Sequence, residues 1–248
     1  MWKIAGASII GSSHIKNLSP CQDFIHSLTR NEVSCISLAD GAGSYKYSDI
    51  GAEISCKAIT EYFTSEFDRF LSMSALEIKQ FIIHGIRTRL GRKARVLDTT
   101  KVELSSTLLF VAIKGHNFII GHIGDGVICG DIDGNLVLLS NPENGEFANT
   151  TYFVTSRNYK EHFRIYRGNV TAFKSFFLMS DGAAEALFHK KEHIFSPALK
   201  IFASWLDKHH SEDVDKAIKN NMEKLFPKHT SDDCSIIIAH KITKYSSE

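Results

Sequence analysis

Proline is scarce, with four in 248 residues, and no Pro/Gly/Ser-rich stretch, low-complexity tract or internal repeat interrupts the chain. Nothing marks a linker, so one domain over residues 1–248 is expected. No apolar run approaches about eighteen residues, which argues against a membrane span. The opening MWKIAGASIIGSSH lacks a basic leader, a long apolar region and a cleavage site, so an export signal is not expected. Neither sign of charge is in excess, 29 Lys and Arg against 28 Asp and Glu, which removes the whole-molecule argument for a nucleic-acid or membrane partner. The five cysteines, Cys21, Cys35, Cys56, Cys129 and Cys234, are odd in number and far apart and include no CxxC pair. That excludes a zinc knuckle and a disulfide framework, and fits buried free thiols in a reducing compartment. A cytoplasmic protein is the expectation.

What the chain does have is 43% hydrophobic residues, enough at this length for a sizeable core. Periodicity places strands at 2–10, 24–29, 33–39, 104–113, 117–123, 126–131, 135–140, 150–155, 161–167, 174–180 and 234–242. A helix is expected over 51–71, where Ile54, Ala58, Tyr62, Phe63, Phe67 and Phe70 recur at helical spacing. Ser74 can cap a second helix carrying Ile78, Phe81, Ile82, Ile86 and Leu90. The stretch 183–225 reads as helical, with Ile194, Leu199, Ile201, Phe202, Trp205, Leu206, Val214, Ile218, Met222 and Leu225 as core candidates. Strands in meander order with helices inserted in two blocks argue for an α+β fold: a four-layer α-β-β-α sandwich with two central antiparallel sheets. Arg87, Arg89, Arg92, Lys93 and Arg95 form a local basic cluster, either the solvated end of an amphipathic helix or the mark of an acidic partner.

Acids recur at the ends of apolar runs. Asp40-Gly41 follows VSCISLA, Asp181-Gly182 follows KSFFLMS, and Asp232-Asp233 precedes CSIIIAH. Asp133-Gly134 supplies the contrast, since strands flank it on both sides as in an ordinary hairpin turn. Helix-like segments follow Asp40 and Asp181, which places those carboxylates at a sheet rim. Three carboxylates without His or Cys at ligand spacing suit Mg²⁺ or Mn²⁺ better than zinc. Two such ions can activate a shared water toward phosphorus, so phosphate-ester hydrolysis is the natural use.

The ordered set CQD (Cys21 to Asp23), LADGAG, SSTLLF, GHIGDG, LMSDG and SDDCS resembles the metal-dependent, type 2C family of serine/threonine protein phosphatases, and PENGEFANTTYF is similar to a bacterial branch of it. The resemblance spans essentially the whole chain and implies the same four-layer sandwich. It implies hydrolysis of phosphoserine and phosphothreonine by direct attack of a hydroxide bridging two Mn²⁺ or Mg²⁺ ions, with a weaker third ion in some members. Asp40 would bridge both metals with help from the Gly41 carbonyl, Asp181 and Asp232 would complete the first metal, and Asp125 would stand near the third. Asp23 would orient metal-bound water from the second shell, and Asp233 would order its loop. Ser106 and Thr107 read as satisfying backbone groups, since no His and acid complete a triad with them. Phosphoprotein substrates, a counteracting serine/threonine kinase and a monomeric state are the implied context.

The chain departs from the pattern in three places. No arginine precedes the CQD motif, which leaves His14 or Lys16 for phosphate capture, with His14 also a candidate general acid. Gln22 stands where some relatives carry Glu, and Ala42 where some eukaryotic relatives carry His. The missing arginine leaves open a phosphatase-like sensor or partner-binding module, and a small phosphate ester is the other alternative substrate. Residues 140–157 are expected to form a flap beside the site.

Overall fold

The computed structural model describes residues 1–143 and 151–242. Along the chain run β1 (Trp2–Ile9), α1 (Ser12–Asn17), β2 (Asp23–Arg30), β3 (Val33–Asp40), α2 (Ser48–Ser72) and α3 (Ala75–Val96). A 3₁₀ turn (Lys101–Leu104) leads into β4 (Leu108–Lys114), β5 (Asn117–Ile123), β6 (Val127–Ile132) and β7 (Asn135–Ser140). Then follow α4 (Tyr159–His162), β8 (Arg164–Asn169), β9 (Phe173–Met179) and α5 (Asp181–Leu187). The short hairpin β10 (Phe188–His189) and β11 (Ile194–Phe195) precedes α6 (Ala198–Lys208), α7 (Ser211–Leu225) and β12 (Cys234–Lys241).

Two five-stranded antiparallel sheets form the centre, one ordered β1-β12-β9-β6-β7 and the other β2-β3-β4-β5-β8. An antiparallel sheet usually leaves one face to water and alternates along each strand. Here both faces are covered, and that is why the strands read as unbroken apolar runs. In β3, Ile36 and Leu38 join the layer between the sheets, while Val33, Cys35 and Ala39 face α2 and α3. β12 divides likewise: Ile237 and Ala239 point between the sheets, Ile236 and Ile238 toward α5, α6 and α7. Three apolar layers thus separate four structural ones. All five cysteines are free thiols, four of them buried, as expected.

Helix α2 lays Ser55, Thr60 and Thr64 against its sheet. Each hydroxyl is satisfied by the carbonyl four residues back, at 2.8, 3.2 and 2.7 Å. Ser74 caps α3 in a full capping box with Glu77. The Asp133-Gly134 turn has φ of 48° and 83° between β6 and β7, the two left-handed residues of a type I′ hairpin.

The structure corrects several sequence expectations. Of the strand expected at 150–155, residues 151–155 form no strand: Val154 N–H bonds Ser106 O and Phe153 N–H bonds Ser156 Oγ, so the chain turns there. Its alternating TYFVT pattern arises because Val154 is buried against the α2/α3 core. β4 begins at Leu108, four residues late, because 101–104 close into a 3₁₀ turn. Residues 159–162 are helical, so β8 starts at Arg164. Within the expected flap, 144–150 lie outside the described residues. Ile194, Ile201 and Leu225 are exposed, not core: Ile194 opens β11, Leu225 ends α7, and Ile201 is on the face of α6 away from Leu199, Phe202 and Leu206. Among the described residues no helix is long and apolar enough to cross a membrane.

Phe63 is fully buried, its ring centroid 4.8 Å from Phe110 and 4.5 Å from Phe70. Phe63→Ala is expected to cost about 3–5 kcal/mol, against under about 0.5 kcal/mol for Lys57→Ala on the exposed face. Urea unfolding midpoints measure both.

Candidate metal centre

Register brings the first two acids together. β2 and β3 pair so that Asp23 lies directly opposite Asp40. The backbone of Asp40 is held at both ends by Thr107: Asp40 N–H donates to Thr107 Oγ1 at 2.8 Å, and Thr107 N–H donates to Asp40 O at 2.8 Å. Gly41 and Ala42 continue the clamp, their N–H groups bonding Gln22 O and Ser105 O at 3.0 Å each. A Cβ on Gly41 would lie 2.7 Å from the Ser48 backbone, so only glycine fits where α2 begins. Ser106 Oγ meets Ser55 Oγ at 3.2 Å inside the core. The hydroxyls of Ser106 and Thr107 therefore serve the scaffold.

The remaining acids arrive from the other sheet or from the crossing between sheets. Asp125 sits in the bend where the chain leaves β5 for β6, made possible by Gly124 at φ 120°. Thr151 Oγ1 donates to Asp125 Oδ2. Asp181 is the first residue of α5, and its Oδ1 accepts from Gly182 N–H at 2.7 Å. Asp232 precedes β12, with Oδ1 accepting from Asp233 N–H at 2.8 Å. Asp233 points inward, accepting from Gly11 N–H at 2.7 Å and Gln22 N–H at 2.6 Å, and so ties three loops together. Its Oδ2 also stands 2.9 Å from His14 Nδ1, close enough for an ion pair but without hydrogen-bond alignment.

Asp40, Asp125 and Asp181 each offer an oxygen within 4.8 Å of the others. They line a cleft of about 570 Å³ with Asp232, His14, Gln22, Gly41, Thr107, Thr151 and Phe153. Asp232 is on the cleft wall, outside that tight group. Asp23 does not reach the cleft; 6% exposed, it lines a neighbouring pocket with Cys21 and Phe24, with neither oxygen in an aligned hydrogen bond. Among the described residues lining the cleft there is no lysine or arginine, and His14 is the sole basic group. Lys16 is not among them. Thr151 and Phe153 were invisible as site residues in the sequence, hidden in a strand-like pattern; the one signal was a hydroxyl residue in the loop expected to flank the site.

Burial and mutual repulsion push these acids up. Asp40 is raised well above the ordinary carboxylate range by burial and then by Asp23, Asp181, Asp125 and Asp232. Asp181 is raised by burial and by Asp125 and Asp232. For Asp23 burial again leads, with the Ser235 and Ser180 hydroxyls pulling the other way and Asp181 adding repulsion. A set of hard oxygen donors without a neutralising side chain fits Mg²⁺ or Mn²⁺: a dication would replace repulsion with attraction, and no soft ligand completes a zinc set.

A four-layer sandwich with an acid-lined cleft at the common edge of its sheets is the architecture of metal-dependent phosphatases. The chain belongs to the protein phosphatase 2C family, whose profile matches residues 10–223. It is 27% identical over 163 residues to serine/threonine-protein phosphatase 3 of Escherichia coli (strain K12). That match covers 63% of this chain and 64% of the relative, just under two thirds of the latter's length. The fold is similar to the catalytic domain of the serine/threonine protein phosphatase PstP, solved with two manganese ions: TM-score 0.67, 12% identity, 98% of this chain and 99% of that one. A serine/threonine phosphatase of S. agalactiae aligns with TM-score 0.64 and 19% identity over 98% and 100% of the two chains.

The raised carboxylates give the metal-free protein a pH dependence of definite sign. Between the ordinary value near 3.8 and the raised folded values, about 7 for Asp181 and about 8 for Asp23, the folded state binds more protons than the unfolded one. Stability is then greatest at low pH in this window and falls as pH rises through it. In chelator, the melting temperature should decline from about pH 5 to about pH 8. Asp40→Asn should flatten that slope, and saturating Mn²⁺ should abolish it in the parent protein; differential scanning fluorimetry reads all three.

Proposed function

We propose that the chain is a Mn²⁺- or Mg²⁺-dependent phosphatase that hydrolyses phosphoserine and phosphothreonine in proteins. The observation carrying this reading is the convergence of Asp40, Asp125 and Asp181 within 4.8 Å of one another at one end of the sandwich. Two divalent ions bound there would supply Lewis acidity for the attacking water and neutralise phosphate oxygens. In this reading Asp40 would be the ligand common to both ions, with the Gly41 carbonyl helping to hold the second, and Asp181 and Asp232 would complete the first. Asp125, whose carboxylate accepts from Thr151 Oγ1, would hold a weaker third ion. Asp23, opposite Asp40 in the strand register, would orient bound water from the second shell.

His14 is the proposed phosphate contact or proton donor to the leaving alkoxide. Asp233 stands beside one ring nitrogen, which leaves the other for the cleft. The carboxylate beside the ring is an electrostatic partner for the protonated imidazole, useful to a group that must donate a proton or meet a phosphate. A phosphorylated protein as substrate, a counteracting serine/threonine kinase, a monomeric state and a cytoplasmic location complete the reading. The absence of lysine and arginine from the described cleft residues favours, as the second reading, a phosphatase-like partner module with little turnover.

Hydrolysis of a phosphothreonine peptide should require Mn²⁺ or Mg²⁺ and stop on adding chelator. Asp40→Asn should reduce kcat by about 10³-fold or more while the variant still unfolds cooperatively. Metal binding without phosphate release by the parent protein would instead select the partner module. For His14→Gln, a drop in kcat of about 10²-fold and loss of one limb of the pH–rate profile are expected; an unchanged profile would remove His14 from the chemistry.

A further inference from the structure

The basic cluster of α3 is not one solvated face. Arg89 turns toward α2, pairs with Glu61 at 2.7 Å and covers the Tyr62 ring at 5.0 Å. Arg87, Arg92 and Arg95 turn the other way. With His84, Lys101 and Tyr159 they line a cleft of about 470 Å³ that has no carboxylate in its wall. Arg92, Arg95 and Lys101 are exposed, and among the described residues none of the three forms an ion pair. Arg92 and Arg95, three positions apart, share one helical stripe with Thr88 and project their charges from the same face.

Arg87 connects this cleft to the acid-lined one. Its Nε donates to Val154 O at 2.8 Å and its Nη2 to Ser156 O at 2.5 Å, while its guanidinium lies 4.7 Å from the Tyr159 ring centroid. Residues 154–156 directly follow Phe153, which lines the acidic cleft. Tyr159 is six positions beyond Phe153, and Lys101 six positions before Thr107, another residue of that wall. Six residues of chain span at most about 21 Å, so two independent connections bound the separation of the clefts. A peptide in extended conformation covers the same distance with about six residues.

We propose that the α3 cleft is a specificity site that holds acidic side chains of the substrate polypeptide, lying within about six residues of the phosphoresidue. Charge complementarity argues for this occupant: a wall whose charged groups are all basic, beside a cleft whose charged groups are carboxylates apart from His14, divides one substrate into two oppositely demanding parts. The basic wall would also draw anionic segments toward a centre whose own acids repel them. The proposal rests on the phosphatase reading above, and its test separates the two.

Three phosphothreonine peptides decide it: one with a Glu block four to six residues after the phosphoresidue, one with the block before it, and one with Gln in place of Glu. One of the Glu peptides should exceed the Gln peptide in kcat/KM by about fivefold at low salt, an advantage that disappears by about 0.5 M NaCl. Arg92→Glu with Arg95→Glu should erase the advantage and leave hydrolysis of p-nitrophenyl phosphate unchanged. Equal turnover of all three peptides, or an advantage that survives the double variant, overturns the proposal. If the parent protein hydrolyses nothing, fluorescence anisotropy of a labelled unphosphorylated Glu peptide takes over. Binding lost in the double variant keeps the cleft and removes the phosphatase reading; no binding by the parent protein removes the cleft.

Discussion

Like charges repel most where water is scarce, and Asp23, Asp40 and Asp181 are held near one another where burial is the largest influence on each. A chain free to relax would move them apart. What prevents it is backbone fixation: the reciprocal bonds between Asp40 and Thr107, the strand register that sets Asp23 against Asp40, and the helix start at Asp181. These devices act mainly through the backbone; Asp181 gives one oxygen to Gly182 N–H, and the other carboxylate oxygens are left available to a cation. Asp233 is the instructive exception, because its side chain is consumed by Gly11 and Gln22 N–H groups. Adjacent residues Asp232 and Asp233 thus divide the work, one facing the cleft and one locking the loops.

The sandwich was legible in the sequence because both faces of each sheet are covered. Runs such as VSCISLA and CSIIIA cannot be solvent-facing antiparallel strands, and helices at two places in the chain supply the two covers. Asp40, Asp181 and Asp232 were legible for a related reason: a carboxylate at the end of such a run has little choice but to stand at the rim. Legibility failed where local pattern and tertiary role part company. Thr151 and Phe153 alternate like a strand, yet the segment is bent by bonds to Ser106 and Ser156, which lie far away or past the pattern. Ile194 and Leu225 lie at the ends of their elements, and Ile201 sits inside α6 on the face opposite Leu199 and Leu206.

The family's motifs also had to be separated from ordinary turn chemistry. Asp133-Gly134 and Asp125-Gly126 both stand between consecutive strands, and sequence alone gives them similar standing. The difference is topological. β6 and β7 are neighbours in one sheet, so the former pair merely reverses the chain, whereas β5 and β6 belong to different sheets. The bend at Gly124 therefore crosses the rim and delivers Asp125 into the cleft, while Asp133 remains on the surface.

The pairing of β1 with β12 joins Trp2 to Lys241 and makes the sheet that carries Asp181 depend on contacts across nearly the whole chain. The other sheet is assembled mainly from neighbours in sequence, β2 through β5. Loop closure over such a span is slow compared with hairpin formation. Order of assembly follows: the half bearing Asp23 and Asp40 can consolidate first, and Asp232, directly ahead of β12, comes into place with the last strand. During synthesis Asp181 and Asp232 would join Asp23 and Asp40 only at the end, so the folding chain is spared the repulsion of the full set until the rest of its core can oppose it.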